Sequence, residues 1–424
     1  MFVKTGSGGR ESEKKKMKKV AVIGAGASGL MASYAAAKKG NEVAVFEKNE
    51  KAGKKIYITG KGRCNVTNDT TPEGFLENVV RNRKFLTGCA YTFPPERMMR
   101  FLEDGGLPLK VERGNRVFPA SDKASDVTKC LERCCRESGV RFCFQESVVR
   151  LDKLQDGRFE ITTSKGKYIF DRVIVCSGGI SYPATGSTGD GYKIAEAFGL
   201  KVVQPRSALC GIICDMTAIS RLQGLTLKNV RVSAAIQGKE VGAFFGEMLF
   251  THFGVSGPIV LSLSSLLNDV RDFTKVRLEI DLKPALDEET LDKRLLRDFD
   301  KFKNKQMQNA LDELLPKSLV QPVLLQAKIR EDLAVNSLTK ESRRSLLHTL
   351  KAFELRPIGL RPVEEGIVTA GGIDVRQIDP KTMQSKTIEG LYFCGEVLDV
   401  DAFTGGFNLQ IAFSTGFVAG NSIS

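Results

Sequence analysis

The segment from Gly24 to Gly29 constrains the fold of this chain more than any other part of its sequence. It has the pattern G-x-G-x-x-G and stands between a short apolar run, residues 20–23, and a helical pattern, residues 28–39; a second apolar run follows at residues 42–46. In such a turn the first glycine permits a tight bend, the second lets the backbone approach a pyrophosphate, and the third lets helix and strand pack closely. The segment therefore predicts a βαβ unit whose helix N-terminus holds phosphate groups.

An acidic residue at the end of the second apolar run strengthens this interpretation. Glu47 lies at about the distance from the glycines at which a carboxylate accepts hydrogen bonds from an adenosine ribose. The alternative is a glycine turn with a purely structural role, but strand, helix and acid together favour dinucleotide binding. The residues predicted to bind the dinucleotide here are Gly24, Gly26, Ser28, Gly29, Glu47 and Lys48.

Two later segments repeat the pattern of a buried strand that runs into glycines. They are residues 173–179 and 390–395, and with the first strand they could line one parallel sheet. We therefore predict a discontinuous Rossmann-like domain made of residues 17–200 and 362–424.

The middle of the chain has a different pattern. Alternating apolar and polar residues predict an inserted antiparallel β domain at residues 201–283 and 352–361. A leucine-rich helical period predicts a small helical subdomain at residues 284–351. The predicted fold class is thus α/β, with an antiparallel insert and a helical subdomain.

The charge of the chain is concentrated at its start. The net charge is +13, and seven Lys or Arg residues against Glu11 and Glu13 place +5 of it in the first nineteen residues. We expect residues 1–16 to be a disordered, solvated tail, with Met17 as an alternative start. Because no RNA- or DNA-binding motif accompanies the tail, a nucleic-acid partner is not expected.

The composition also bears on membranes, metals and disulfides. No apolar run approaches the ~20 residues needed to cross a bilayer, and no signal-peptide core follows the basic start. We therefore expect a cytoplasmic protein that does not bind membranes and whose ten cysteines are thiols. With two histidines in the chain, we expect no metal site.

The glycine-ended strands resemble those of the large two-dinucleotide-binding-domain flavoproteins. There, a mid-chain strand ending in glycines and a C-terminal strand ending in Gly-Asp or Gly-Glu complete an FAD site; the counterparts here are residues 173–179 and 387–396. The resemblance implies FAD rather than NAD as the bound cofactor. It places Glu396 at the ribityl chain and Val148 at the adenine, with Gly178 and Gly395 at the strand ends.

Three loops narrow the resemblance to a bacterial flavoprotein family that includes aminoacetone oxidase and the 3-dehydro-bile-acid Δ4,6-reductase. The loops are residues 59–68, 181–191 and 395–410, and the likeness covers nearly all of residues 17–424. Since only one complete G-x-G-x-x-G is visible, a separate NAD(P)H domain is not expected. NADH or NADPH is a possible electron donor that would have to visit the flavin.

Two of these loops have a physical interpretation of their own. Gly405, Gly406, Phe407 and Asn408 precede the last helix, just after Asp401, so their N–H groups could face the flavin N1/O2 edge; the alternative is a plain capping turn. The loop at residues 60–63 is glycine-rich and cationic. We predict that Lys61, Gly62 and Arg63 lie along the isoalloxazine, the alternative being a solvated basic turn.

Three side chains are the candidate catalytic residues. His252 is the best proton donor in the insert, Tyr182 is a second donor, and Arg63 could reach an anionic group of the substrate. A structural role is the alternative for His252 and Tyr182.

The sequence therefore predicts an FAD-dependent oxidoreductase that acts on a small molecule. Our first hypothesis is a flavin ene-reductase that passes a hydride from N5 to a 3-oxo steroid or bile-acid intermediate, because the bile-acid branch fits that chemistry. The alternatives are an oxidase of a small amine such as aminoacetone, and a non-enzymatic flavin-bearing protein associated with nucleic acid. The oligomeric state is left open.

Overall fold

The computed structural model describes residues 17–217 and 219–423, so the predicted tail at residues 1–16 lies outside the described part. The chain opens with strand β1 (Lys19–Ile23), helix α1 (Ala27–Lys38) and strand β2 (Glu42–Glu47). This is the predicted βαβ unit, since β1 and β2 pair in parallel. The elements that follow up to residue 200 are β3 (Thr67–Asn68), α2 (Pro72–Glu77), α3 (Thr87–Thr92), α4 (Pro95–Asp104), β4 (Leu109–Glu112), β5 (Arg116–Pro119), α5 (Ala124–Glu137), β6 (Arg141–Phe144), β7 (Val148–Lys153), β8 (Phe159–Thr163), β9 (Lys167–Phe170), β10 (Arg172–Val175) and α6 (Asp190–Ala197).

The rest of the chain carries most of the antiparallel structure and the last Rossmann strand. Its elements are β11 (Val202–Ala208), β12 (Ile212–Cys214), β13 (Thr226–Ile236), β14 (Lys239–Thr251), β15 (Gly254–Ser256), α7 (Pro258–Ser265), β16 (Val276–Asp281), α8 (Glu288–Lys301), α9 (Met307–Ala310), α10 (Lys317–Gln326), α11 (Lys340–Lys351), β17 (Phe353–Leu355), β18 (Pro357–Leu360), β19 (Val368–Ile373), β20 (Leu391–Phe393) and α12 (Phe407–Ser422).

A five-stranded parallel sheet in the order β20-β10-β1-β2-β6 forms the cofactor domain. Its register aligns Ile23 with Val175 and Val175 with Phe393. The carboxyl ends of these three strands therefore meet at one edge of the sheet, where ligands bind in open α/β folds. The predicted parallel sheet built from three distant segments is confirmed.

The insert is a seven-stranded antiparallel sheet in the order β17-β16-β13-β14-β15-β12-β18. Buried apolar side chains of residues 212–355 form a core of their own on this sheet and on helices α7 to α11. This confirms the predicted fold class, while the residue limits predicted for each domain stay predictions. None of the helices in the described ranges has the length and apolar character of a membrane span.

Helix α12 lies parallel to α1. Small residues on α12 let the two backbones come into contact. A Cβ atom at Gly416 would lie 2.3 Å from the Ser28 carbonyl oxygen, and one at Gly420 would lie 2.2 Å from that of Ala32. Both helix N-termini thus point the same way. Gly416 lies nine residues after the start of α12 and faces Ser28, one residue after the start of α1, so the N-terminus of α12 extends about 12 Å beyond that of α1, at 1.5 Å per residue.

Candidate functional site

The three glycines of the first turn have three distinct roles. Gly24 has φ +101°, and a Cβ there would lie 2.6 Å from the Cys176 carbonyl oxygen. A Cβ at Gly29 would lie 1.9 Å from the Gly24 carbonyl oxygen, which the close packing of strand and helix excludes. A Cβ at Gly26 would meet no protein atom within 4 Å. Gly26 therefore presents bare backbone to an open space.

That space is a cavity of about 1360 Å³, larger than a typical small-ligand pocket of roughly 300–1000 Å³. Its wall begins at the α1 turn, passes the ends of β2, β10 and β20, and reaches the N-terminus of α12 and the insert. The size suits a dinucleotide together with a substrate. The predicted cofactor residues in its wall are Gly24, Gly26, Ser28, Glu47, Lys48, Lys61, Arg63, Val148, Gly178, Glu396, Gly406, Phe407 and Asn408.

Four predicted residues lie outside the wall and support it. Gly29 packs the first turn, and a Cβ at Gly395 would lie 2.5 Å from Oγ of Ser28. Gly62 has φ +85° in the cationic loop, and Asp401 is fully buried behind the wall. These residues were predicted to contact the cofactor. In the structure they instead support the wall, the glycines through their small size or positive φ and Asp401 from a buried position.

The carboxylate at the end of β2 is held in place by the first turn. Glu47 Oε2 accepts a 2.8 Å hydrogen bond from the Ala25 N–H, and Oε1 accepts bonds from Asn49 N and Nδ2 at 2.8 and 2.7 Å. Beside it, the Lys48 ammonium pairs with Asp190 at 2.7 Å. With Val148 in the adjoining wall, this end of the cavity suits an adenosine.

A half-buried ion pair lies where β20 ends. The Lys55 ammonium donates to both carboxylate oxygens of Glu396, at 3.0 and 2.8 Å, and to Oγ of Ser181 at 2.6 Å. Oε1 of Glu396 also accepts from Oγ of Ser181 and from the Thr369 N–H. Burial raises the pKa of Glu396, but Lys55 and these hydrogen bonds outweigh it and hold the pKa below its usual value. Glu396 is therefore a fixed anion in the cavity wall.

The turn before α12 could only be made with glycines. Gly405 and Gly406 have φ +128° and +98°, and a Cβ at Gly406 would lie 2.4 Å from the Thr67 carbonyl oxygen. Asn408 fixes the turn by bonding both N–H and C=O of Ala402. No side chain caps the helix, so its first N–H groups lie at the cavity wall without intrahelical acceptors.

Asp401 supports this turn from behind. Its carboxylate is fully buried, lies 3.6 Å from Nε of Arg81, and has no hydrogen-bond partner among the described residues. Burial raises its pKa to about 7, the nearby Arg81 lowers it in part, and Asp399 raises it further. Arg81 also pairs with Asp269 of the insert, so this cluster joins the two domains.

The two charged side chains of the cationic loop, Lys61 and Arg63, have different surroundings. Gly60, Lys61 and Gly62 all have left-handed backbone, with φ of +56°, +58° and +85°. Lys61 is exposed in the cavity wall. Arg63 is held by ion pairs with Glu112 and Asp122 and lies over the Phe118 ring at 4.2 Å. The structure therefore leaves Lys61, rather than Arg63, available to a ligand.

Neither candidate proton donor of the sequence analysis lies in the cavity wall. His252 is exposed in the turn after β14, beside Phe253. The wall residues of β14 end at Glu247, and His252, five positions further on, lies about 17 Å away along the strand direction. Tyr182 is also exposed, and its backbone N–H donates a 3.2 Å hydrogen bond to the Glu364 carbonyl.

Sequence reasoning missed the part of the wall that the insert and the β4–β5 hairpin supply. These residues include Arg113, Arg116, Lys228, Asn229, Phe244, Phe245, Leu261 and Ser262. The Phe-Phe-Gly segment at residues 244–246 was the available signal, because two adjacent aromatic residues in an alternating strand leave one of them outside the core.

The helix-end turn at Gly26, the strand-end carboxylate of Glu47 and the fixed anion of Glu396 fit FAD, and this fold and site define an FAD-dependent oxidoreductase. Residues 18–422 match the model of the HI0933-like protein Rossmann domain, and the chain belongs to that family.

Two relatives that match nearly the whole chain carry different names. The chain is 31% identical over 409 residues, 95% of this chain and 98% of the relative, to the ribosomal RNA dihydrouridine synthase of Haemophilus influenzae. It is 29% identical, over 96% of this chain and 99% of the relative, to the 3-dehydro-bile acid Δ(4,6)-reductase of Clostridium scindens. A solved 3-ketosteroid-Δ4-(5α)-dehydrogenase from Rhodococcus jostii RHA1 shares the fold, with a TM-score of 0.51 and 16% identity over 97% of this chain and 98% of that one.

Proposed function

We propose that this protein reduces a carbon–carbon double bond conjugated to a carbonyl, and that the substrate is a uracil base of ribosomal RNA. The observation that carries the proposal is the composition of the cavity mouth. Among the residues that line the cavity, the cations Lys61, Arg113, Arg116 and Lys228 and the aromatic Phe245 are all exposed, and we take them to form its mouth. Cations that contact phosphates and an aromatic ring that stacks on a base are the usual parts of a single-stranded RNA site.

The chemistry of the two named relatives has a common core. A dihydrouridine synthase saturates C5=C6 of uracil, which is conjugated to the C4 carbonyl, and a Δ(4,6)-reductase acts on double bonds conjugated to a 3-oxo group. In each case the β-carbon gains a hydride and the α-carbon gains a proton. This supports the ene-reductase hypothesis of the sequence analysis and widens its substrate from a steroid to a pyrimidine.

The residues of this chain would position the cofactor. Gly26 and the α1 N-terminus would hold the pyrophosphate of FAD, Glu47 its adenosine ribose, and Glu396 its ribityl chain. The N–H groups at Gly406 and Phe407 would face the ring and favour negative charge there. Bound FAD supplies the hydride at its N5 atom. We further propose that NADH or NADPH brings the electrons, by entering the same cavity.

We assign the proton to Lys61. It is the ammonium group of the strained loop in the cavity wall, whereas His252 and Tyr182 lie outside that wall and Arg63 is engaged by two carboxylates. A lysine ammonium can donate to the α-carbon as negative charge develops on the carbonyl. The glycines on either side of it would allow the loop to adjust to the substrate.

A 3-oxo steroid is the second candidate substrate. Phe244, Phe403, Ile259 and Leu261 give part of the cavity an apolar wall, and Phe244 packs edge-on against Phe403 at 5.1 Å. An apolar wall of this kind suits a steroid nucleus. The cations at the mouth favour the RNA substrate over it.

One anaerobic experiment separates the candidates. The FAD-loaded protein is reduced with NADH, NADPH or dithionite and mixed with unmodified transcribed ribosomal RNA or a 3-oxo-4,6-diene steroid. In parallel, the oxidised protein is mixed with aminoacetone as a control. We expect the RNA to reoxidise the flavin and its uridine to gain two hydrogens by mass spectrometry. A protein with Gly26→Ala, which should not retain FAD, serves as the inactive control.

Two other results of this experiment would change the proposal. Reoxidation by the steroid alone would replace RNA with the second candidate. Reduction of oxidised flavin by aminoacetone, with no reoxidation by either unsaturated substrate, would overturn the ene-reductase proposal and favour the oxidase.

A further inference from the structure

We propose that single-stranded RNA crosses the cavity mouth between two β-hairpins, with phosphates on Arg113, Arg116 and Lys228 and an unpaired base on Phe245. Hairpin A is β4–β5, residues 109–119, and hairpin B is β13–β14, residues 226–251. This inference rests on the proposed function and adds to it the surface that recognises the RNA strand.

The two hairpins are fixed to the same turn of the cofactor domain. Nδ2 of Asn68 donates to the Gly114 carbonyl at the tip of hairpin A, at 3.0 Å, and to the Gly405 carbonyl before α12, at 3.1 Å. On hairpin B, Phe244 packs against Phe403 of that turn. Both hairpins therefore border the turn at which we place the reactive ring of the cofactor.

The charges at the mouth differ from those deeper in the cavity. The ion pairs in the deeper wall are Lys48–Asp190 and Lys55–Glu396, and Arg63 is paired beside it. Among the described residues, none of the ion pairs includes the mouth cations Lys61, Arg113, Arg116 or Lys228. Glu77 and Glu247 also line the cavity, which leaves the mouth with a net positive charge. Such unpaired cations attract phosphates and release counterions on binding.

Hairpin B presents its aromatic ring and its cation at one irregular place. The pairing of β13 with β14 is interrupted between Leu227 and Val230, where Lys228 and Asn229 lie opposite the single residue Glu247, and both line the cavity. Nearby, Phe245 is 57% exposed and is the one largely exposed phenylalanine among the described residues. Exposure of a phenylalanine costs stability without a structural return. At a cationic rim, its natural partner is the face of a base.

Stacking and phosphate contacts respond differently to salt, which gives the test two separate readouts. Each lost phosphate contact should lower the slope of log Kd against log salt concentration by about 0.7 for a single strand. Loss of a stacked base should weaken binding about tenfold and leave that slope unchanged. A protein that merely loses stability would show neither pattern selectively.

The experiment measures binding of a labelled single-stranded oligouridine to the FAD-loaded full chain over a series of NaCl concentrations. We compare Arg113→Ala with Arg116→Ala in one protein, Lys228→Ala, and Phe245→Ala, with Phe245→Tyr as the conservative variant. The matched controls are Lys303→Ala with Lys317→Ala, and Leu325→Ala, all exposed on the helical subdomain. The basic residues 1–19 stay in every protein, so their contribution to binding cancels.

We expect the salt slope to fall by about 1.4 for the double arginine variant and by about 0.7 for Lys228→Ala. Phe245→Ala should bind about tenfold more weakly, and Phe245→Tyr like the parent. Parental affinity and slope in all hairpin variants, equal losses in the controls, or no binding by the parent would each overturn the inference. If dihydrouridine forms while the variants bind normally, the RNA surface alone is wrong; if the variants lose binding but no substrate is reduced, the proposed function alone is wrong.

Discussion

The ammonium group of Lys55 lies 2.8 Å from Oε2 of Glu396, although the two residues stand 341 positions apart in the chain. Lys55 precedes the cationic loop, and Glu396 follows β20. Their pairing fixes an anion in the cavity wall and joins the first and last parts of the cofactor domain. It also makes the stability of the protein depend on pH.

Lys55→Met should destabilise the apoprotein by about 2 kcal/mol near neutral pH, because it leaves a half-buried carboxylate without its cation. In the parent, the pKa of Glu396 is lowered, so its stabilising contribution is present above about pH 4 and is lost as the pH falls. In the variant, only the hydrogen bonds from Ser181 and Thr369 still oppose the effect of burial, so the pKa of Glu396 rises above its parental value and this stabilising contribution shrinks. The difference between the proteins should therefore grow from about pH 4 to about pH 7 in urea unfolding.

Lys54→Met is the matched control, because Lys54 pairs with Glu50 at the exposed surface. It should cost less than about 1 kcal/mol at any pH. Equal losses in the two variants would contradict the assigned role of Lys55.

Gly26→Ala and Gly29→Ala should separate cofactor binding from folding. The new Cβ of Gly26→Ala meets no protein atom within 4 Å and intrudes on the phosphate site, so the apoprotein should keep its Tm and lose FAD. The new Cβ of Gly29→Ala would lie 1.9 Å from a backbone oxygen, so this variant should lose Tm itself. Calorimetry and flavin absorbance measure the two effects.

Gly88→Ala, on an exposed position of α3 with no contact shorter than 3.6 Å, should change neither quantity. Retention of FAD by Gly26→Ala would show that the pyrophosphate lies elsewhere.

Asp401→Asn should stabilise the protein above neutral pH by about 2 kcal/mol, because it removes a carboxylate whose burial raises its pKa to about 7. Between the usual pKa of about 4 and that value, the folded parent binds more protons than the unfolded chain, so its stability falls as the pH rises. The variant should lack this fall. Chemical denaturation from about pH 4 to about pH 8 measures it.

Asp300→Asn, at an exposed aspartate of the helical subdomain, should leave the pH profile unchanged. A loss of stability in Asp401→Asn at every pH would mean that the attraction of Arg81 outweighs the cost of burial.

Lys61→Met should slow product formation about a hundredfold, the usual contribution of a general acid, and leave FAD binding intact. Rapid mixing of reduced protein with substrate measures the step directly.

His252→Ala and Tyr182→Phe should keep the parental rate, since neither side chain lies in the cavity wall. A parental rate in Lys61→Met, or a large loss in His252→Ala, would move the proton donor away from the cationic loop.

The parts of the site that could be predicted from the sequence are those that depend on local geometry. The roles of Gly24 and Gly29 are set by contacts within a few residues or with the adjoining strand, so their spacing predicts the turn, the helix N-terminus and a dinucleotide. Glu47 ends a strand of the same βαβ unit. These features led to the cofactor class and to the parallel sheet.

The side chains whose surroundings the sequence did not predict have the opposite character. His252 was a reasonable donor by type, but β14 is thirteen residues long and carries it past the cavity. Arg63 was placed at the ligand by charge, and two carboxylates from hairpin A and the segment after it engage it. The positions of the mouth residues Lys228 and Phe245 depend on an irregular strand pairing, which no local sequence pattern predicts.

The sequence by itself therefore determined the βαβ unit, its dinucleotide site and the division into a Rossmann domain and an insert, because glycine spacing and strand periodicity act over short distances. Only the tertiary structure decided which charge meets which. Lys55 with Glu396, Arg81 with Asp401, and the two hairpins around one turn are contacts between residues far apart in the chain. Such contacts arise from the packing of whole domains, and that packing selects the side chains that can reach a substrate.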